Sequence, residues 1–512
     1  MSRKTKPTVK QTPTVEVPWK AILSCAFAVA VFLFYVLKQT HLIIYQEWGQ
    51  MFQFTSEYFI DRIAVPGGLA RYLGEFFTQF YHTPWVGAAI IALLATAVHR
   101  LSWAIARRDG AGDAAFPISF VPALLLLAFM SYADTLLSYP IAMAAALLSC
   151  LLFRPTRKNA LILLPYIAVF YHLFGTTAYI VALYEAAMLV AIGIREKKAA
   201  SCCLLAAMLT AWTFAVVWIS TFYTPYPLWR IFKGIPYYSV PTEIPSLQIH
   251  SMWITSAAIA AMALLPRWKM KPIITSAITV VLVAVGMKLT AEKYDTDLNY
   301  LISYDSLVYT EQWDKILNRK DIFDKVTTMS VACCDLALAI RGQLADNLFD
   351  YPQMGAEGLF LFMQRDNLSS NVIGEILFRI GMVNEAQRFF YDSQESLFNH
   401  NKSTRLTKRL TEIEIVNGQY DVARKYLHQL AKTLYYRGWA NEQLLLLGNE
   451  DAINNHPLYG RLRSLRSKED YIFQPNRLFY ILESLYKQNP DNFLANQYMQ
   501  AAIPLIKSKK RP

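Results

Sequence analysis

Apolar residues in this chain follow two regimes that meet near residue 291. Before that point they come in long runs, at 19–38, 84–103, 115–133, 136–153, 159–174, 176–194, 201–222, 250–267 and 272–290. An α-helix needs about 20 apolar residues to cross a hydrocarbon core. The pattern therefore predicts a membrane domain over residues 1–290 with about nine spans. Gly175 lies at the centre of the stretch 159–194, and basic residues flank both of its outer ends. Two spans joined by a tight outer turn fit both facts better than one long helix. The run Ala21 to Leu37 continues into Lys38-Gln39-Thr40-His41 with no small-residue cleavage site, which predicts a retained first helix.

Between the first two runs, residues 39–83 change period. Leu69, Tyr72, Leu73, Phe76, Phe77, Phe80 and Tyr81 recur at the i, i+3, i+4 spacing of an amphipathic helix, with Arg71 and Glu75 one turn apart on the other face. Ile44, Trp48, Met51 and Phe52 mark an earlier helix, and Pro66-Gly67-Gly68 breaks the chain between the two. Helices this rich in Trp, Tyr and Phe are expected at a membrane–water interface. The loop 223–249 carries Pro225, Pro227, Pro236 and Pro241 and reads as extended rather than helical.

After residue 291 charges appear at helical spacing and the long apolar runs stop. Gly374, Leu377, Gly381, Ala386 and Phe390 match a tetratricopeptide pattern, in which small residues let two antiparallel helices approach and Gly381 ends the first. Weaker echoes occur at Gly418, Ala423 and Leu427, and at Gly342. Trp313 resembles the start of a second hairpin helix, and Gln488-Asn489-Pro490-Asp491-Asn492 the boundary between repeats. Residues 291–512 thus read as a tetratricopeptide-like α-solenoid. The plain alternative is an irregular all-helical domain. The fold class is all-α: a polytopic membrane half followed by a helical-repeat half.

Charge fixes the orientation. Lys and Arg cluster at Arg3/Lys4/Lys6/Lys10/Lys20, Arg100/Arg107/Arg108, Arg154/Arg157/Lys158, Arg195/Lys197/Lys198 and Arg267/Lys269/Lys271, while the alternate connections are poor in both. Basic connections stay in the cytoplasm. An odd number of spans then sends residues 291–512 to the far side of the membrane, away from cytosolic nucleotides. Hydrophobic residues make up 54% of the 512 and charged residues 17%, and the net charge of +12 is mostly this orientation charge rather than a nucleic-acid surface. The six cysteines show neither a disulfide framework nor a zinc spacing.

Ionisable groups within spans are rare and costly, so Glu185 and His172 are candidate proton or substrate ligands. The bland reading of each is a neutral group bonded to a neighbouring helix. On the outer side, Glu47, Glu57, Asp61 and Asp134 are carboxylates able to act as a general base toward an acceptor hydroxyl. Arg62 and Arg71 are placed to neutralise a lipid phosphate. The plain reading of each acid is a solvated charge. No Gly-rich phosphate loop, metal-ligand spacing or Ser/His/Asp arrangement stands out, so neither a cofactor nor a metal is predicted.

A basic N-terminus and first helix, an outer loop of amphipathic helices with acids, Pro84-Trp85-Val86-Gly87-Ala88 opening the second helix, and a short acidic second outer loop together resemble membrane glycosyltransferases of the GT-C type. The likeness is to bacterial glucosyltransferases that use polyprenyl-phosphate sugars, and it covers roughly residues 19–190. It implies a catalytic acid in the first outer loop, which falls on Glu47, with Asp134 as a second outer-loop acid. That family usually carries Asp, often paired, early in the loop; here the acids are isolated. Over nearly its full length the chain also resembles a domain-of-unknown-function family of Gram-negative membrane proteins with these spans, the Pro-Gly-Gly loop and a tetratricopeptide-like tail.

Three functions follow as expectations. The first is transfer of a sugar from a lipid carrier to a periplasmic acceptor held by the repeats. The second is a non-catalytic envelope scaffold whose repeats recruit a protein or glycan partner. The third, a transporter, finds little support, because Glu185 is nearly alone as an intramembrane charge.

Overall fold

The computed structural model describes residues 18–135, 137–153, 156, 159–234, 246–264, 270–361, 366–397, 401–467 and 477–508. These residues are helical and carry no named strand. Six helices are long and apolar enough to cross a membrane: Trp19–Lys38, Pro84–Arg108, Ala160–Arg195, Ala199–Phe222, Ser246–Leu264 and Pro272–Lys293. The shorter apolar helices Asp113–Phe129 and Ser138–Leu152 pack among them. Arg154, Arg157, Lys158, Arg267 and Lys269, part of the expected orientation charge, lie outside the described residues.

The stretch Ala160–Arg195 reverses direction at Gly175, whose φ of +67° suits a residue without a side chain. Three pairings follow the first arm alongside Ala199–Phe222. Ala160 packs with Ala206, the Trp212 indole donates to the Leu164 carbonyl at 2.8 Å, and the Tyr171 and Ser220 hydroxyls meet at 2.8 Å. The second arm runs the other way: Tyr179 packs on Phe214 near one end, and Gly193 lies against Cys202 at the other.

Residues 39–83 form three helices rather than two. Gly68–Thr78 lies where the apolar spacing predicts it, whereas Thr40–Trp48 ends before Met51 and Phe52, which fall in the connection to the next helix. Between them Ser56–Ile63 is capped by Thr55, whose hydroxyl accepts from the Tyr58 amide. This eight-residue helix is amphipathic but buries no whole residue. Phe52 and Phe54 of the preceding connection pack with Tyr58, Tyr72 and Phe76, and this ring cluster ties Ser56–Ile63 to Gly68–Thr78. The loop after Phe222 is not wholly extended, because Leu228–Lys233 forms a short helix. Pro236 and Pro241 lie outside the described residues.

Beyond Lys293 the chain forms helical hairpins. Asn367–Ile380 pairs with Val383–Glu395, and Thr404–Asn417 with Tyr420–Leu430. Trp313–Leu317 begins at Trp313, and the break between Leu478–Gln488 and Phe493–Ser508 falls at Asn489–Asn492. In an open solenoid each unit touches only its neighbours. Here the last helix folds back: Gln497 accepts from the Ala345 amide, Asn492 donates to the Ile380 carbonyl at 2.8 Å, and Tyr498 packs on Phe360. One contiguous buried cluster runs from Phe27 in the first helix to Leu505 in the last.

Candidate functional site

The Pro66-Gly67-Gly68 turn is where the first loop meets the membrane helices. The Gly67 amide donates to the His172 carbonyl at 2.8 Å, and the His172 Nε2–H donates to the Ile63 carbonyl at 3.0 Å. A side chain at Gly67 would lie 3.5 Å from the Gly175 Cα, and one at Gly74 would lie 2.5 Å from the Ser138 amide. Gly67 is needed for its φ of +80°, whereas the absent side chain of Gly74 lets the loop seat closely on the helix Ser138–Leu152. His172, a candidate ligand on sequence grounds, here braces the loop.

Behind that turn, Glu75 gathers three donors. Arg62 Nε approaches at 2.7 Å, Arg71 Nε at 3.0 Å and the Tyr58 hydroxyl at 2.7 Å. The Glu75 side chain is 1% exposed. Two guanidiniums thus share one carboxylate. Arg71 also donates to Asn401 of the C-terminal half at 3.3 Å. The same Arg71 lines a cavity of about 110 Å³ whose wall includes Ser138, Thr176, Thr177, Ser220, Thr224 and Gln248. Its described lining carries hydroxyl, amide and guanidinium groups but no carboxylate and no imidazole.

Glu47 and Asp134 lie elsewhere. Glu47 is 5% exposed, on a helix that the C-terminal half covers. Burial pushes its carboxyl up to about 8, while Tyr436 and Arg405 beside it pull the other way. Asp134 accepts from the Tyr45 hydroxyl at 3.2 Å, and Tyr45 accepts from the Asn367 amide at 2.8 Å. Burial raises the Asp134 carboxyl as well, against the Tyr45 hydrogen bond. Asp134 thus meets Tyr45 and Glu47 faces Tyr436 and Arg405, both at the junction between the first loop and the C-terminal half, and neither lines the cavity.

The junction has its own charge network. Arg405 forms a two-point pair with Asp305 and lies over the Trp48 and Tyr309 rings. Asn371 donates to Asp305 at 2.7 Å. Glu375 is bound by Arg379 and Arg409. Burial alone would raise the Glu375 carboxyl, but Arg409, Arg379 and Arg405 outweigh it and hold it well below the usual range. Further ties run from Phe54 N to the Lys432 carbonyl at 3.0 Å and from Gln53 to the Gln429 carbonyl, and His82 stacks on Tyr435.

Glu185 sits at the opposite end of the bundle. It is fully buried, and neither carboxyl oxygen has a partner among the described residues. Its neighbour Tyr184 accepts from Arg108, which also takes up the Cys150, Leu151 and Phe153 carbonyls at the end of Ser138–Leu152. Asp61 is exposed on Ser56–Ile63. Of the candidates, Arg62, Arg71 and His172 converge on one place, Glu47 and Asp134 lie at the junction against different partners, and Glu185 and Asp61 stand apart. Sequence reasoning passed over Glu75 as a site residue, although its one-turn spacing from Arg71 was visible. It also passed over Arg405, Asp305 and Tyr436, for which no local signal exists. No group of three metal-binding side chains occurs among the described residues.

Among comparisons with known proteins, a family model described as a family of unknown function, DUF6057, matches residues 16–507. No curated protein and no solved structure matches the chain.

Proposed function

We propose that this chain, which belongs to the DUF6057 family, is a multi-pass scaffold of the bacterial inner membrane. On this reading a membrane half of about nine spans holds an anionic lipid headgroup at its outer face, and a periplasmic, tetratricopeptide-like half holds a protein or glycan partner. The reversal at Gly175 and the two shorter apolar helices support nine spans. The alternating basic connections support the orientation.

The observation that carries the scaffold reading is the burial of Glu47. A general base must come within about 3.2 Å of the proton it takes, directly or through one water. Glu47 is closed over by the C-terminal half, and the cavity beside Arg71 offers no acid or imidazole among its described lining. The Arg71 guanidinium on the cavity wall, with hydroxyls around it, suits binding of an anionic group rather than proton transfer.

A second reading is favoured by the same cavity. It lies near a groove formed by Tyr171, His172, Trp212 and Tyr223 on the membrane-facing side. A GT-C-like transferase would place the phosphate of a polyprenyl-phosphate sugar at Arg71 and would need the C-terminal half to lift so that Glu47 or Asp134 meets an acceptor. Complementation of a deletion strain separates the two. The scaffold reading expects Glu47→Gln and Asp134→Asn to restore the wild-type envelope, and Arg71→Gln to lower the anionic lipid that co-purifies. Loss of complementation by either acid variant, at normal yield and unchanged melting, would turn the conclusion to the transferase.

A further inference from the structure

The last membrane-length helix, Pro272–Lys293, is the one most open to its surroundings. Ile273, Val281, Val285 and Leu289 are each more than half exposed, as a lipid-facing helix requires. At 1.5 Å per residue its 22 residues span about 33 Å, so its C-terminal end lies at the edge of the hydrocarbon. The chain then turns at Tyr294–Thr296 and starts the helix Asp297–Tyr309. Leu298, at the start of that helix, is 41% exposed.

A second segment is fastened to the same place. Lys325 pairs with Asp297 at 2.5 Å, and the Tyr300 hydroxyl donates to the Lys325 carbonyl at 2.7 Å. These two bonds hold residues 322–326 within one helical turn of the point where the chain leaves the membrane. Phe323 in that segment is 56% exposed and Val326 is 43% exposed. Ile322 nearby is fully buried and Phe323 stacks on Tyr351 at 6.2 Å between ring centroids, which anchors the segment from the other side. Exposed apolar side chains are thus held on a turn tied to Asp297, the residue before Leu298, just past the end of Pro272–Lys293.

We infer that Leu298, Phe323 and Val326 form a membrane-docking surface by which the C-terminal half rests on the interfacial layer of the lipid bilayer. The partner is the lipid surface, because the patch is tied to the chain four residues beyond the end of the most exposed membrane-length helix, the level at which aromatic and aliphatic side chains partition into the headgroup boundary. A protein partner would have to compete with lipid for a surface at that depth. The docking is a second restraint on the C-terminal half, distinct from its junction with the first loop, and it holds whichever function the outer cavity serves.

The test uses the full chain in nanodiscs of phosphatidylethanolamine and phosphatidylglycerol, in a background with the exposed Cys25 and Cys203 replaced by alanine. A polarity-sensitive fluorophore is attached at Phe323→Cys and, separately, at Val326→Cys. Leu445→Cys, whose parent residue is 84% exposed and lies far along the chain, is the aqueous control. Lipid docking predicts blue-shifted emission at both positions, quenching by a lipid carrying a nitroxide near its headgroup, and protection from soluble iodide. Emission and iodide access equal to those at Leu445→Cys would overturn the inference. Blue-shifted emission that the nitroxide lipid does not quench would overturn it too, since protein rather than lipid would then cover the patch.

Discussion

Arg405 meets Asp305 through two hydrogen bonds, Nη1 to Oδ2 at 2.7 Å and Nη2 to Oδ1 at 3.1 Å, with both side chains shut away from solvent. The same guanidinium covers Trp48, so one ion pair inside the C-terminal half also fastens the first loop. A buried pair repays its desolvation only through such geometry, and removing one member strands the other. Arg405→Met is expected to lower stability by about 3–5 kcal/mol. Adding Asp305→Asn should recover part of that loss, because no charge is then left unpaired. Thermal unfolding in detergent checks both. A double variant no more stable than Arg405→Met would show that packing on Trp48, not charge, carries the effect.

Glu75 neutralises Arg62 and Arg71 from a fully enclosed position. Glu75→Gln keeps the shape but leaves two guanidiniums facing one neutral amide. The expected cost is on the order of 2–3 kcal/mol, concentrated in the loop. Ser56–Ile63, which buries no whole residue, should detach first. Limited trypsin digestion would read this as faster cleavage after Arg62. Unchanged cleavage would mean that the aromatic cluster alone holds the helix.

Glu47 gives the junction a pH dependence of defined sign. Its carboxyl titrates at about 8 in the folded chain against an ordinary 4.5. The folded form therefore holds a proton that the unfolded chain has released, and stability falls as pH rises between these values. The slope for one group is at most about 1.4 kcal/mol per pH unit. Asp335, raised to about 8 by burial, adds a slope of the same sign. His41, lowered to about 4 by burial, acts oppositely, but its contribution is complete above its ordinary 6.5. Between pH 6.5 and 8 the melting temperature should therefore decline, and Glu47→Gln should flatten part of the decline. A melting curve in Glu47→Gln as steep as in the wild type would remove Glu47 as a source.

How far these features were legible depends on how local their causes are. Apolar runs place membrane-length helices to within a few residues, because one run both fills and ends a helix. The stripe Leu69 to Tyr81 foretells Gly68–Thr78 for the same reason. Gly381 and Gly418 foretell hairpin turns, because each closes a helix with positive φ. Ser56–Ile63 is amphipathic too, but at eight residues it offers barely two turns of periodicity and is passed over beside its longer neighbours. The pairing of Arg405 with Asp305 across 100 residues has no counterpart in any window of sequence. The burial of Glu47 follows from that distant contact, so a carboxylate that reads as accessible becomes part of an interior. The return of Phe493–Ser508 to the earlier helices is a tertiary choice of the same kind.

Gly381 and Gly418 occupy equivalent places, each ending the first helix of a hairpin, yet they should respond differently to alanine. Gly381 has φ of +93° and Gly418 of +76°, so either alanine incurs the left-handed cost of about 1–2 kcal/mol. A side chain at Gly418 meets nothing within 4 Å. One at Gly381 would lie 2.6 Å from the Leu465 carbonyl oxygen, which is backbone and has little room to move. Relieving that clash requires the helix Tyr459–Leu465 to shift away from the hairpin, and overpacking of this kind costs about 1–3 kcal/mol more. Gly381→Ala should therefore melt well below Gly418→Ala, and a matched loss in the two would show that only backbone conformation matters at these turns. Leu465→Ala adds a control: it trims the side chain but leaves the carbonyl in place, so it should not rescue Gly381→Ala. A rescue would place the strain in the outer atoms of the Leu465 side chain, since alanine keeps both the carbonyl and the Cβ that lies 3.1 Å from the same point.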